Sequence, residues 1–433
     1  MNPRPTDPTF DLSDAAAPSS PLPERNRILA LDVLRGFSLL GILLINIQSF
    51  AMTDAAYVNP TAFGDLHGAN YWVWYFSHLL ADQKFMAIFS MLFGAGILLM
   101  TGNRESEGTG AAPFHYRRMT ALMLFGLAHA YLLWVGDVLY TFAVCGMLLY
   151  PLRKLRPWPL LLSGCGLLLM LSVFSLGTGR SMVSWTPAQL DAFVRENWQP
   201  TAAALSAEAD IYHGGWLQEV AYRAPIALQL ETHLFLIRLA WRAGGLMLIG
   251  MALYKWGVFT ASRSRRFYLA MIAVGALLGI PLVALGVHRN FAAGWDPKYS
   301  FFFGSQYNFW GSILVAIGWI GVVMLACKSP RALRFCRPLA AVGQMALSNY
   351  LMHTIVCSFI FYGIGLGLFG LVSRVAQIEI VAAIWALQLV VSPLWLRYFR
   401  FGPAEWLWRS MTYLKLQPML RSDARSRAAS TAG

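Results

Sequence analysis

Ten stretches of predominantly apolar residues, most of them near twenty long, dominate this chain. They fall at about 28–50, 83–101, 118–137, 138–152, 158–178, 234–256, 267–287, 307–326, 339–362 and 377–397. A run of that length matches about 30 Å of bilayer hydrocarbon when coiled as an α-helix. Within hydrocarbon only a helix or a closed barrel satisfies every backbone group, and no alternating strand pattern is present. The sequence therefore predicts an all-α, polytopic transmembrane bundle of about ten spans. Only 13% of the 433 residues are charged, roughly half the share of a soluble domain, and the mean hydropathy is +0.52. Residues 71–82 (YWVWYFSHLLAD) are expected either to lie at the interface or to form the tilted first turns of the second span.

The net charge of +13 does not point to nucleic acid, because the basic residues form no single accessible stripe. They sit in short groups between apolar runs: Arg25/Arg27, Arg117/Arg118, Arg153/Lys154/Arg156, Arg263/Arg265/Arg266, Arg331/Arg334/Arg337 and Arg397/Arg400. These groups mark alternate connections, and roughly two dozen of the 34 Lys and Arg lie on the side they mark. Under the positive-inside rule that side is cytoplasmic, and with it both termini. Residues 1–27 are expected to be a disordered cytoplasmic tail, 28–178 an N-terminal helical half, 179–233 a periplasmic loop, 234–416 a C-terminal helical half, and 417–433 a second disordered tail.

Ionisable residues inside spans cost about 2.5–3.5 kcal/mol or more at the bilayer centre, so those present are the best pointers to function. Asp32 and Arg35 in LDVLRG share a helix face at i,i+3. Two readings stand for them: an ion pair that fixes packing, or an Arg35 fork offered to an anionic ligand. Lys84 opens the second span after Asp82 and Gln83, where a lysine ordinarily snorkels to the interface. His129 lies eleven residues beyond Arg118, about 16 Å into the third span. A histidine at that depth is a candidate general base, with a satisfied structural role as the alternative. Asp137 follows eight residues later, about 12 Å away if the helix runs straight through. Arg238 and Arg242 lie one turn apart in an apolar run, with Glu231 and His233 as possible partners. Asn349 and His353 are likewise i,i+4, and Asn349 and Gln344 fit helix–helix hydrogen bonding. No zinc spacing, Walker loop, nucleophile elbow or dinucleotide fingerprint occurs, so no metal site is expected.

Five ordered motifs resemble the YeiB family of bacterial inner-membrane proteins: RILALDVLRGFSLLGILLINI, KFMAIFSMLFGAG, LAHAYLLWVGDVLYTFAVCGMLL, GQMALSNYLMHTIVCSFIFY and WLRYFRFGPAEWLWRSMTY. The resemblance spans about Ile28 to Leu416. That family is distantly similar to transmembrane acyltransferases of the heparan-alpha-glucosaminide acetyltransferase type, which pass an acyl group from cytoplasmic acyl-coenzyme A to an acceptor across the membrane. The resemblance implies acyl-CoA as donor, a lipid, glycan or small-molecule acceptor, and a membrane-embedded catalytic histidine. Its HxxLxWxGD segment places that histidine on His129 and the acidic partner on Asp137. Its LDxxRG segment assigns Asp32 and Arg35, and with them Lys84, to the coenzyme side. The alternatives are a carrier or exporter whose substrate path is lined by Arg238, Arg242, His353 and Asn349, or a membrane protein without turnover.

Alkaline phosphatase fused after Ser206 is expected to be active and fused after Arg425 inactive; the reverse pattern would invert the topology.

Overall fold

The computed structural model describes residues 29–421 apart from Glu107 and Thr109. The expected tail at 1–27 and residues 422–433 lie outside the described residues. The chain is an all-α membrane bundle, and its helices follow the apolar runs. The first half comprises α1 (Leu29–Ala51), the short α2 (Asp54–Val58), α3 (Gly68–Leu80), α4 (Lys84–Ser106), α5 (Ala111–Leu132), α6 (Leu139–Leu149) and α7 (Pro157–Ser181). The expected loop at 179–233 is itself helical, as α8 (Pro187–Asn197), α9 (Ala202–Tyr212) and α10 (Trp216–Gln229). The last of these runs through a wide π-type stretch, Leu230–Leu239, into α11 (Ala240–Lys255). Then come α12 (Arg265–Val274), α13 (Ile280–Ala292), the single turn α14 (Pro297–Tyr299), α15 (Ser305–Cys327), α16 (Pro330–Gln344), α17 (Ala346–Phe361), α18 (Arg374–Tyr398) and α19 (Pro403–Tyr413).

Seven helical stretches are long and apolar enough to cross a membrane: 29–51, 68–106, 157–184, 216–255, 265–292, 297–327 and 374–398. The three remaining apolar runs fall on α5, α6 and the α16–α17 pair. α5 carries His115, Arg117 and Arg118 in its first half, α6 is only 11 residues long, and α16–α17 is interrupted at Met345.

Side-chain contacts sort the connections into two ends. At the basic end, Arg153 pairs with Glu105, Lys255 donates to the Leu155 carbonyl, Lys328 to the Ala261 carbonyl, and Arg118 lies on the Trp408 ring. At the opposite end Asn59 donates to the Trp198 carbonyl, Trp198 to the Trp295 carbonyl, and the Gly370 amide to the Ala51 carbonyl. The described chain starts and finishes at the basic end. There Leu420 bridges to Phe399 and Gln417 is buried, so residues 417–421 are ordered where a tail was expected.

The interior is built by close helix approach. A Cβ at Gly36 would fall 1.9 Å from the Leu339 carbonyl oxygen, and one at Gly343 would fall 1.9 Å from that of Asp32. These two glycines let α1 and α16 touch along their backbones, as small residues do between helices in lipid. Gly36→Val is therefore expected to lower the yield of monodisperse protein and its melting temperature, whereas Gly96→Ala, whose Cβ would meet nothing within 4 Å, is expected to leave both unchanged.

Candidate functional site

Two recesses enter the bundle from opposite ends. The first is a tunnel of about 230 Å3 that opens at the basic end. Its mouth carries Asp32, Arg35, Arg118, Glu405 and Arg409, and its walls are apolar, with Phe89, Phe93, Phe142 and Leu122 among them. From Leu31 to Ile42 on α1 it spans eleven residues, about 16 Å. Arg35 donates to Asp32 at 2.9 Å, so the i,i+3 pair expected from LDVLRG is formed, and Arg35 stays partly open to the mouth.

The floor of the mouth depends on Glu405. Its Oε1 accepts from the Leu347 and Ser348 amides at 2.6 and 3.1 Å, and its Oε2 accepts from the Ser348 hydroxyl. The carboxylate thereby caps the first turn of α17, where N–H groups lack intrahelical partners and the helix dipole favours negative charge. A break between α16 and α17 inside the bundle is thus satisfied by a residue 57–58 positions away.

The tunnel's inner wall is Tyr350 and Val138, and behind Tyr350 stands His129, with ring centroids 5.0 Å apart. His129 Nδ1 lies 2.9 Å from Asp137 Oδ1 and Nε2 lies 2.9 Å from Thr354 Oγ1. This corrects the expected 12 Å separation. The third span is not one straight helix to Asp137: α5 stops at Leu132, and the chain folds back through Gly136 so that Asp137 meets the ring. Arg223 donates to the carbonyls of Leu132 and Leu133, and Trp216 to that of Leu132, which makes a helix end possible there. Nδ1 thus faces the Asp137 carboxyl and Nε2 the Thr354 hydroxyl. His129 is 1% exposed with both ring nitrogens engaged.

The second recess enters from the opposite end. Arg238 and Tyr57 are exposed there, Tyr57 by 48%, in a polar region termed the vestibule below. Arg238, Arg242 and Asp82 lie within electrostatic reach of Tyr57. Asp82 belongs to the three-residue break between α3 and α4, where Gln83 takes a left-handed φ of 63°. Its Oδ2 accepts from His78 Nδ1 at 3.0 Å and from Asn308 Nδ2 at 2.7 Å. Lys84 donates to the Asn308 side chain and to the His78 carbonyl. Arg242 donates to Ser312 Oγ at 2.9 Å and faces the Phe309 ring.

Lys84 therefore does not snorkel. It is fully buried, and it lies apart from Asp32 and Arg35, which line the tunnel mouth, because its ammonium is spent on bridging α4, α15 and the end of α3. Asn349 and His353 also leave the proposed substrate path. Asn349 donates to the Val342 carbonyl and Ser392, while His353 Nε2 meets Gln388 at 2.9 Å, so both are buried in the α17–α18 contact. Glu231 faces Tyr131 instead of Arg238. Asn308, Thr354, Tyr57, Tyr350, Arg409 and Glu405 escaped the sequence reading. His78 and Asp82 carried a readable signal, an i,i+4 spacing.

Residues 253–415 match the family described as "protein of unknown function (DUF418)". The chain is 31% identical over 423 residues to "uncharacterized protein YeiB" of Escherichia coli (strain K12), covering 93% of this chain and all of that one. It belongs to the YeiB family. A relative in Bacillus subtilis (strain 168), "uncharacterized protein YxaH", is 30% identical over 417 residues, covering 91% of this chain and 96% of the other. The match to relatives over nearly their whole length means that both recesses lie within the shared region.

Near the vestibule end, Glu208 on α9 accepts from the Asp54 amide at 3.0 Å. Burial, and then the Asp54 charge, push the Glu208 carboxyl from 4.5 up to about 7. A carboxyl raised by folding contributes stability below its unfolded value and loses it as pH rises through the folded one. The melting temperature of the wild type is thus expected to fall between about pH 4.5 and 7 relative to Glu208→Gln. Parallel curves for the two proteins would remove Glu208 from the titration.

Proposed function

We propose that this protein is a membrane-embedded acyltransferase of the bacterial inner membrane, moving an acyl group from cytoplasmic acyl-CoA to an acceptor that enters from the other side. The observation that carries the reading is the pair of opposed recesses, one a cation-mouthed apolar tunnel and the other a polar vestibule beside the His78–Asp82 pair. At about 230 Å3 the tunnel is smaller than an ordinary ligand pocket. In this reading it receives the acyl end of the pantetheine arm and leaves the nucleotide outside, where Arg35, Arg118 and Arg409 would meet its phosphates. On α4 the vestibule floor at Lys84 and the tunnel end at Phe89 are five residues apart, about 7.5 Å.

The sequence places the base at His129, but the geometry favours His78. A base must present a free nitrogen to the acceptor's hydroxyl or amine. His129 is sealed behind Tyr350 and already spends Nε2 on Thr354, whereas the side chain of His78 is 22% exposed and Asp82 orients its Nδ1. In this reading Nε2 of His78 takes the acceptor's proton as the acceptor oxygen or nitrogen attacks the thioester carbonyl. The C–S bond then breaks and coenzyme A leaves as the thiolate, to be protonated in turn. His129, Asp137 and Thr354 position the septum by tying α5, α6 and α17 together. Two recesses separated by a thin septum also suit a carrier with alternating access, and that is the second reading.

Purified protein supplied with radiolabelled acetyl-CoA and a membrane extract is expected to label an acceptor. His78→Gln should reduce labelling by about 10²–10⁴-fold at unchanged folded yield. His129→Gln should lower the melting temperature and leave turnover of the folded fraction within about threefold, well short of that range. A stable His129→Gln protein without turnover would return the base to His129. Solute counterflow with no label transfer would sink the enzyme reading in favour of the carrier.

A further inference from the structure

The vestibule holds more positive charge than its own residues balance. Arg238 and Arg242 are i,i+4 neighbours, a spacing at which like charges repel. The acid within electrostatic reach of both is Asp82, whose Oδ2 already serves His78 and Asn308. Arg242 uses one amino group on Ser312 and lays its face on Phe309, which leaves Nη1 buried without a hydrogen-bond partner. A buried guanidinium donor without an acceptor is costly, so Nη1 asks for an acceptor that the protein does not supply. Arg238 reaches open space. The two guanidinium groups are carried at and just beyond the end of the π-type stretch Leu230–Leu239, a helix distortion that recurs at ligand sites. Tyr57 lies within electrostatic reach of both and is exposed.

We propose that Arg238 and Arg242 form a binding site for an oxyanion, a phosphate or carboxylate group of a molecule entering from the vestibule end. Forked guanidinium donors suit two oxygens of one anion, which would satisfy Nη1 of Arg242 and cancel the repulsion between the pair. The nearby Tyr57 hydroxyl is a further donor. The site stands on this geometry alone, and only its assignment to the acceptor rests on the acyl-transfer reading. The class of acceptor that follows carries an anionic group at a fixed distance from the hydroxyl or amine to be acylated.

The test is anion binding by the full-length protein in a neutral detergent. Inorganic phosphate at constant ionic strength against chloride should raise the melting temperature in a saturable manner. Arg238→Gln and Arg242→Gln should each weaken the apparent Kd by about tenfold or more, the equivalent of about 1.4 kcal/mol. Arg242→Lys keeps the charge and serves if Arg242→Gln folds poorly; it should weaken binding less. Arg195→Gln, an exposed α8 residue paired with Asp191 and outside both recesses, should leave the shift intact. Nanodiscs of phosphatidylcholine with and without phosphatidylglycerol separate the sources: a shift that needs the anionic lipid assigns the phosphate to a headgroup, and one produced by free phosphate assigns it to a soluble ligand. Absence of any shift, or a shift equal in wild type and both glutamine variants, would overturn the site. Binding without acyl transfer would leave the site standing and reject the enzyme, while transfer unaffected by either substitution would do the opposite.

Discussion

A helix that ends inside a membrane leaves backbone N–H or C=O groups with no water to accept or donate to them, and each such end must be satisfied by a side chain. Three helices of this protein break off within the bundle, and the polar groups of interest gather at those breaks. Glu405 receives the amides at the start of α17, Arg223 and Trp216 donate to the last carbonyls of α5, and the α3–α4 break exposes Asp82 and Lys84 to Asn308. Interrupted helices are what allow recesses to form without exposing unpaired backbone to lipid.

The same constraint explains which parts of the structure were legible in the sequence. Run length and composition carry the all-α class and most spans, because burial of twenty apolar residues leaves few other solutions. The Asp32–Arg35 pair was legible because both partners lie in an uninterrupted helix, where i,i+3 spacing fixes proximity. His129 and Asp137 were misplaced for the opposite reason. Leu132, Leu133 and Trp134 continue an apolar pattern across a point where the helix stops, and the donors that stop it come from Arg223 and Trp216, more than 80 residues away. Glu405 was invisible in the same way, since nothing in GPAEWLWR says that its carboxylate serves the helix that starts at Ala346. Lys84 at the head of an apolar run looked like a snorkelling residue, and only Asn308, 224 positions on, makes it a buried one.

His129–Asp137 and His78–Asp82 make a useful contrast because the chemistry of the two pairs is alike and their surroundings are not. Both rings use Nδ1 on a carboxylate. For His129 the second nitrogen closes a contact between α5 and α17, with Trp134 and Tyr350 packed against the ring, so the pair behaves as a fastener. His78 stacks on Trp74 along one face and keeps its side chain partly exposed. Motif reading weighs residue type and spacing, and these are blind to accessibility, which is the property that separates a base from a strut.

The two recesses differ in how their cations are balanced, and the difference gives them separate tasks. At the tunnel mouth Arg35 is paired with Asp32 and Arg118 rests on the Trp408 ring, so a ligand's phosphates would compete with existing partners and bind reversibly from bulk solvent. In the vestibule the charge of Arg238 and Arg242 exceeds what Asp82 can offset, and Nη1 of Arg242 has no hydrogen-bond partner. An anion arriving there gains more than one arriving at the mouth. Under-compensated charge at one end and compensated charge at the other would, under the proposed acyl-transfer reading, hold one substrate firmly while the other exchanges.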